Sequence, residues 1–201
     1  MDTKEKMLEV ALDLFSKKGY ESSSVRDITT QLGFKESALY FHYKNKQALL
    51  DSLVDKFISE SERMMAFLSN IIKQVTSIDD EPFIAITIKY VQSYFLDDFI
   101  NKFIMVMNHE RSHNEQLRKQ YICWCIDRPV EFQGMVMEKL QEIGYLKKMD
   151  SVDVALAYYA PIFLYYNQFM NHEYSDEDEK LFLNSVVATA RDFLSAYKKG
   201  V

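Results

Sequence analysis

Residues 25–50 read VRDITTQLGFKESALYFHYKNKQALL. Val25, Ile28 and Leu32 fall on one face of a short helix, and Ser24 with Asp27 makes the S-x-x-D pattern that caps a helix start. Gly33-Phe34-Lys35 interrupts the periodicity. A second short helix follows over Glu36–Tyr43, anchored by Leu39, and Asn45 is placed to cap a longer helix beginning at Lys46. Two short helices joined by a glycine turn have the shape of a helix-turn-helix, whose second helix enters the major groove of DNA. On spacing alone, a helical hairpin with solvated lysines fits equally well.

Outward from this segment the pattern stays helical. Residues 3–18 carry Leu8, Ala11, Leu12 and Phe15 at helical spacing, with Asp2 and Glu5 as a capping pair and Gly19 as the stop. The helix from Lys46 keeps its apolar face to about Val75. Asp79-Asp80-Glu81-Pro82 opens another, because acids and proline suit a first turn, and it runs to about Leu96. Further helices are expected over 99–108, over 112–143 with a break at Pro129, from Asp150 or Ser151 to His172 with a kink near Pro161, and from a Ser175–Asp178 cap to Lys199. Gly144 ends the second of these. The chain has only 5 glycines and 3 prolines in 201 residues, too few for a fold rich in tight turns. The expectation is an all-α protein of about nine helices.

With 48% apolar and 27% charged residues the chain can build a core and is not generally disordered. No apolar run is long enough to span a bilayer, and the first residues lack the apolar run of a signal peptide, so a cytoplasmic location is expected. The net charge of −6 argues against nucleic acid until its distribution is considered. Residues 1–50 carry +1 and residues 51–201 carry −7. A phosphate-binding surface needs a local basic patch rather than a basic chain, so DNA contact is expected in the first 50 residues. There Tyr40, His42, Tyr43, Lys44, Asn45 and Lys46 form a run of donors without an acid.

These elements together resemble the DNA-binding domain of the TetR family of bacterial regulators: Arg26-Asp27-Ile28 at a helix start, Gly33 followed by an apolar residue, Leu39-Tyr40 followed by His42 and an aromatic, and Lys44-x-Lys46-x-x-Leu49-Leu50. The resemblance is close over residues 4–52 and looser beyond. Gly144-Tyr145-Leu146, then Asp150 and Asp153-Val154-Ala155, also looks like the family's approach to its last two helices. It implies a helix-turn-helix domain over 1–48 and a ligand-binding and dimerisation domain over 49–201. By the same resemblance Ser24, Tyr40, His42 and Lys46 meet phosphates of a double-stranded operator, with Lys44 in the same donor run, and Arg26 reaches phosphate or a guanine edge. Lys35, Glu36, Ser37 and Ala38 face base edges. Lysine suits guanine, glutamate accepts from cytosine and alanine packs on a thymine methyl. The chain departs from the pattern at Lys35, where a capping hydroxyl is usual, so the recognition helix has a weaker cap or one supplied by Ser37 or water.

A nearly neutral reader attracts DNA weakly, and two copies double its contacts, so a homodimer is expected. The last two helices, about 150–172 and 176–199, carry apolar faces: Val154, Tyr158, Ile162 and Tyr165, then Phe182, Val186, Ala190, Phe193 and Tyr197. Paired across a two-fold axis these make a four-helix bundle; alternatively they close the subunit's own core. Tyr90, Tyr94, Phe103, Met107, Tyr121, Trp124, Tyr159, Phe163 and Tyr166 are the candidates for a mostly apolar pocket that binds a small effector. No cofactor and no enzymatic activity is implied.

One motif points elsewhere. His109-Glu110-Arg111-Ser112-His113 matches H-E-x-x-H, which on a helix binds zinc through both histidines while the glutamate activates water. A metal site or a zincin-like hydrolase is therefore the competing reading. Against it, Gln116 and Lys119 stand where a G-x-x-H continuation would begin and end, and no edge strand is expected. Cys123 and Cys125 on a helix diverge too far to chelate one ion or bridge each other, and read as packing residues or a redox-sensitive thiol.

Overall fold

The structure is a computed structural model, and it describes residues 2–200. The described residues form α1 (Thr3–Lys18), α2 (Val25–Gln31), α3 (Glu36–His42), α4 (Lys46–Gln74), α5 (Asp80–Tyr94), α6 (Asp98–Glu110), α7 (Glu115–Ile122), a π-helical turn (Cys123–Asp127), α8 (Arg128–Glu142), α9 (Ser151–Phe169) and α10 (Asp176–Tyr197). The π turn joins α7 to α8 without interruption, so the expectation of nine helical segments holds. The one extended pairing among the described residues is a bridge between Leu146 and Lys198. Each expected cap is in place. The Asp2 amide donates to Glu5 at 3.3 Å, the Ala48 amide to Asn45 at 2.9 Å, and the Val152 amide to Asp150 at 2.9 Å. The Ser175 amide donates to Asp178 at 2.9 Å.

By packing, the chain forms two compact units, and neither is a single stretch of sequence. One holds everything described up to Ser61 together with Asp98–Tyr121; the other holds Glu62–Asp97 and Ile122 onward. Within the first unit α6 packs along α1. In the first unit Met7, Ala11, Phe15, Ile28, Leu39, Leu50, Phe57 and Phe103 are fully enclosed. The Phe57 and Phe103 rings lie 4.9 Å apart, and Lys102 on α6 pairs with Asp13 on α1 at 3.5 Å.

In the second unit α9 packs between α8 and α10, and α5 lies on α10. Val154, Tyr158, Ile162, Phe182, Val186, Ala190 and Phe193 are all buried here. Most of the residues on the two expected faces are thus enclosed within the subunit, while Tyr165 and Tyr197 are half-buried. The apolar residues left outside are a different set: Val152, Leu156 and Leu164 on α9, and Leu181 on α10.

The break expected at Pro129 falls slightly earlier. The backbone widens to π geometry over Cys123–Asp127, where the Arg128 amide reaches the Cys123 carbonyl. Proline has no N–H, so Pro129 can serve neither the Cys125 carbonyl four residues back nor the Trp124 carbonyl five residues back. Two phenols take those places: Tyr159 donates to the Cys125 carbonyl at 2.7 Å and Tyr94 to the Trp124 carbonyl at 3.0 Å. Buried carbonyls are satisfied here by side chains of other helices, which ties α5 and α9 to the turn.

Candidate nucleic-acid interface

The reader begins at α2. The Ser24 hydroxyl and amide both donate to Asp27, at 2.7 and 2.8 Å, and the Asp27 amide returns a bond to the Ser24 hydroxyl at 3.1 Å. These bonds from Ser24 hold the Asp27 carboxyl below its ordinary 3.8. After α2, Gly33 turns the chain with φ +69°, a left-handed conformation that suits glycine, and the Phe34 amide closes onto the Thr29 carbonyl at 2.8 Å. Helix α3 follows, with Leu39 fully enclosed beneath it. Its cap position, Lys35, makes no side-chain cap bond, as its residue type implies.

Burying Leu39 decides which side of α3 faces out. Lys35, Glu36, Ser37 and Tyr40 are exposed, Ala38 and His42 are half-buried, and Lys44 lies in the open just beyond the helix. Ser24 and Arg26 are exposed at the start of α2. Sequence reasoning overlooked Phe41, which is 85% exposed and stands edge-on to His42 with ring centroids 5.1 Å apart. The signal was available: two residues after a buried anchor, a helical side chain points to the opposite side. A phenylalanine there has the size and apolar character to meet a thymine methyl.

Two residues behind the helix, Tyr43 and Lys46, make structural contacts. Tyr43 is buried, its phenol pushed up to about 12 chiefly by burial, and its hydroxyl donates to the Lys4 carbonyl at 3.4 Å. Lys46 holds the turn between α1 and α2. Its ammonium donates to the carbonyls of Tyr20 at 2.8 Å and Ser23 at 3.0 Å, and sits 4.0 Å from the centre of the Tyr20 ring. An ammonium has three donors, so one remains for a phosphate.

The H-E-x-x-H reading fails on geometry. Helix α6 ends at Glu110, and Arg111–His113 form a turn, so the two histidines do not sit one helical turn apart on a common face. Glu110 is buried and accepts the Tyr20 amide at 2.8 Å rather than facing solvent. Among the described residues no three His, Cys, Asp or Glu side chains gather as metal ligands.

The expected pocket residues separate into two groups. Phe103, Met107 and Tyr121 are buried in the first unit, where Arg111 lies 4.4 Å from the Tyr121 ring. Tyr90, Tyr94, Trp124, Tyr159, Phe163 and Tyr166 lie in the second. There Phe95, which sequence reasoning missed, links several of them, with its ring 4.4 Å from Tyr166, 5.3 Å from Tyr94, 6.3 Å from Phe163 and 6.5 Å from Tyr159. The Tyr90 hydroxyl is enclosed, and burial raises its pKa above 10.

Residues 7–53 match the profile described as "Bacterial regulatory proteins, tetR family". The class A tetracycline repressor of Escherichia coli, from transposon 1721, is 36% identical over 55 residues, which is 27% of this chain and 26% of that protein. The chain thus aligns with about a quarter of the length of that relative. A TetR-family regulator from Mesorhizobium loti superposes with a TM-score of 0.73 at 15% identity, over 98% of this chain and 96% of that one. SmeT, the repressor of the Stenotrophomonas maltophilia multidrug efflux pump SmeDEF, superposes in its triclosan complex with a TM-score of 0.67 at 18% identity, over 98% and 92%. Residues 7–53 thus carry the sequence pattern of the bacterial regulatory proteins of the tetR family, and the described residues share the fold of the TetR-family regulator from Mesorhizobium loti.

Proposed function

We propose that the chain is a DNA-binding transcriptional regulator, a cytoplasmic non-enzymatic repressor that sits as a homodimer on a palindromic operator and leaves it when a small, mostly apolar effector binds. Residues 1–48 act as the reader and residues 49–201 as the ligand-binding and dimerisation part. The observation that carries this reading is α3: a short helix anchored by a buried Leu39 and presenting Lys35, Glu36, Ser37, Tyr40 and Phe41 outward. Ser24, Arg26, His42, Lys44 and the remaining donor of Lys46 flank it as phosphate contacts. The dimer contact is assigned to α9 and α10 through the exposed Val152, Leu156, Leu164 and Leu181. The effector site is assigned to the aromatic cluster around Tyr90, Tyr94, Trp124, Tyr159, Phe163 and Tyr166. No helix among the described residues is long and apolar enough to cross a membrane.

The test is selection of duplexes from a random pool by the full-length protein, followed by a salt series on the best duplex and a titration with triclosan, the compound seen with SmeT. A palindromic site, a steep fall of affinity with salt and release by an apolar aromatic compound would support all three parts. A pool that yields no enriched sequence, with only salt-insensitive retention, would sink the regulator reading in favour of a helical adaptor.

A further inference from the structure

The reader is held in shape by a carboxylate well beyond its end in the sequence, that of Glu110. Glu110, the last residue of α6, is 6% exposed and accepts the amide of Tyr20 at 2.8 Å. That amide opens the turn that leads from α1 into the cap of α2. The turn is occupied from both sides: Glu110 takes its first amide, while Lys46 gives two protons to its carbonyls, at 2.8 Å on Tyr20 and 3.0 Å on Ser23. Within it the Ser23 hydroxyl donates to the Gly19 carbonyl at 2.8 Å, and the Tyr20 hydroxyl donates to Gln47 at 3.1 Å. Residue 19 has φ +83°, and a β-carbon there would lie 3.0 Å from the Glu110 Oε1. The backbone angle favours glycine, and a β-carbon there would press on this carboxylate.

We propose that Glu110 is a positioning residue for operator binding. Through the Tyr20 amide it sets the turn that aligns Ser24 at the head of α2 with Lys46 at the head of α4, so that both meet the same stretch of phosphate backbone. The inference rests on the regulator reading and adds to it a specific dependence of the reader on the end of α6. It also accounts for the glutamate of the H-E-x-x-H motif without metal: the side chain is an acceptor for a buried amide. Shifting the end of α6 by one methylene's length is enough to unmake the bond, because hydrogen bonds weaken steeply beyond about 3.2 Å.

Two conservative variants separate this role from charge and from general packing. Glu110→Gln keeps the oxygen at the same reach and removes the charge. Glu110→Asp keeps the charge and withdraws the oxygen by one methylene. Affinity for the best duplex selected by the wild-type protein is expected to stay within about threefold in Gln and to fall by roughly tenfold to hundredfold in Asp, as for a buried donor left unpaired. The slope of log affinity on log salt should become shallower in Asp by about 0.9, one phosphate contact. Amide exchange at Tyr20 should quicken in Asp and remain slow in Gln. Wild-type affinity and slope in Asp would overturn the proposal, and so would a loss in Gln with none in Asp, which would make the charge the operative feature. If the wild-type protein selects no duplex, the regulator reading is what fails. Amide exchange at Tyr20 still decides the latch, since equal exchange in wild type and Asp overturns it without any DNA present.

Discussion

The ammonium of Lys46 donates to the carbonyl of Tyr20 at 2.8 Å and also lies 4.0 Å from the centre of its ring. A lysine expected on sequence grounds to serve phosphate is therefore also a fastener between the α1–α2 turn and the start of α4. Its two roles can be measured separately. Lys46→Met keeps most of the stem and removes the donors. It should cost about 1.5–3 kcal/mol of stability, the range for hydrogen bonds to a charged group, as well as operator affinity. The melting temperature should fall by roughly 2–4 °C per kcal/mol in a chain of this size. Lys44→Ala, at an exposed position, should weaken binding and flatten the salt slope by about 0.9 with no thermal change. Equal melting temperatures for the two variants would show that the carbonyl bonds of Lys46 contribute nothing.

The exposed residues of α9 give a test of the dimer. Val152, Leu156 and Leu164 lie four and eight residues apart, on one side of the helix, and Leu164 is 66% exposed. Leu164→Arg adds a charge outside the subunit core. It should leave the helical signal intact and convert a dimer into a monomer in sedimentation, with a loss of about tenfold or more in affinity for a two-half-site operator. A variant that remains dimeric would move the interface elsewhere.

The π turn predicts a coupled pair of substitutions. Tyr159→Phe removes the donor to the Cys125 carbonyl and should destabilise the protein by about 1–3 kcal/mol. Pro129→Ala restores a backbone N–H within reach of that carbonyl. In the Pro129→Ala background Tyr159→Phe should therefore cost less, by about 0.5 kcal/mol or more in a double-mutant cycle from denaturant unfolding. Strict additivity would mean that the proline and the phenol do not share the carbonyl.

Acid should weaken the clasp between α5 and the end of α10. The Asp80 carboxylate accepts from Lys198 at 2.5 Å and from the Tyr145 hydroxyl at 2.8 Å. The hydrogen bond from Lys198, then that from Tyr145, holds its pKa below the ordinary 3.8. A carboxyl depressed in the folded state adds stability that is complete above its unfolded value and is lost as pH falls through its folded one. The difference in melting temperature between wild type and Asp80→Asn should therefore persist at pH ~6 and shrink as the pH falls below the ordinary carboxyl value of 3.8. A difference that stays constant across that range would assign the effect of the substitution to packing.

Much of this architecture was legible from residue order because it rests on local chemistry. Ser24 with Asp27, Asn45, Asp150, and Ser175 with Asp178 are caps whose partners lie two or three residues away, and all four form where expected. The outward side of α3 follows from Leu39 in the same way, and Phe41 could have been found by the same rule. The helix expected over 99–108 runs to Glu110, and H-E-x-x-H raised a competing reading there only because the five residues do not by themselves state that the helix stops inside the motif.

Local spacing along the chain was enough to set the all-helical class, the order of the helices and the reader segment, since a cap, a glycine stop and an apolar stripe all act within one or two turns. Tertiary packing alone decided which apolar stripe is spent inside the subunit, so that Tyr158, Val186 and Phe193 are buried while Leu156 and Leu164 are left outside. It also decided that Glu110 and Lys46 would meet at Tyr20, in bonds that span 90 and 26 residues of chain. The physical reason is that a buried polar group must find a partner wherever the fold brings one, and no periodicity in the sequence records that distance.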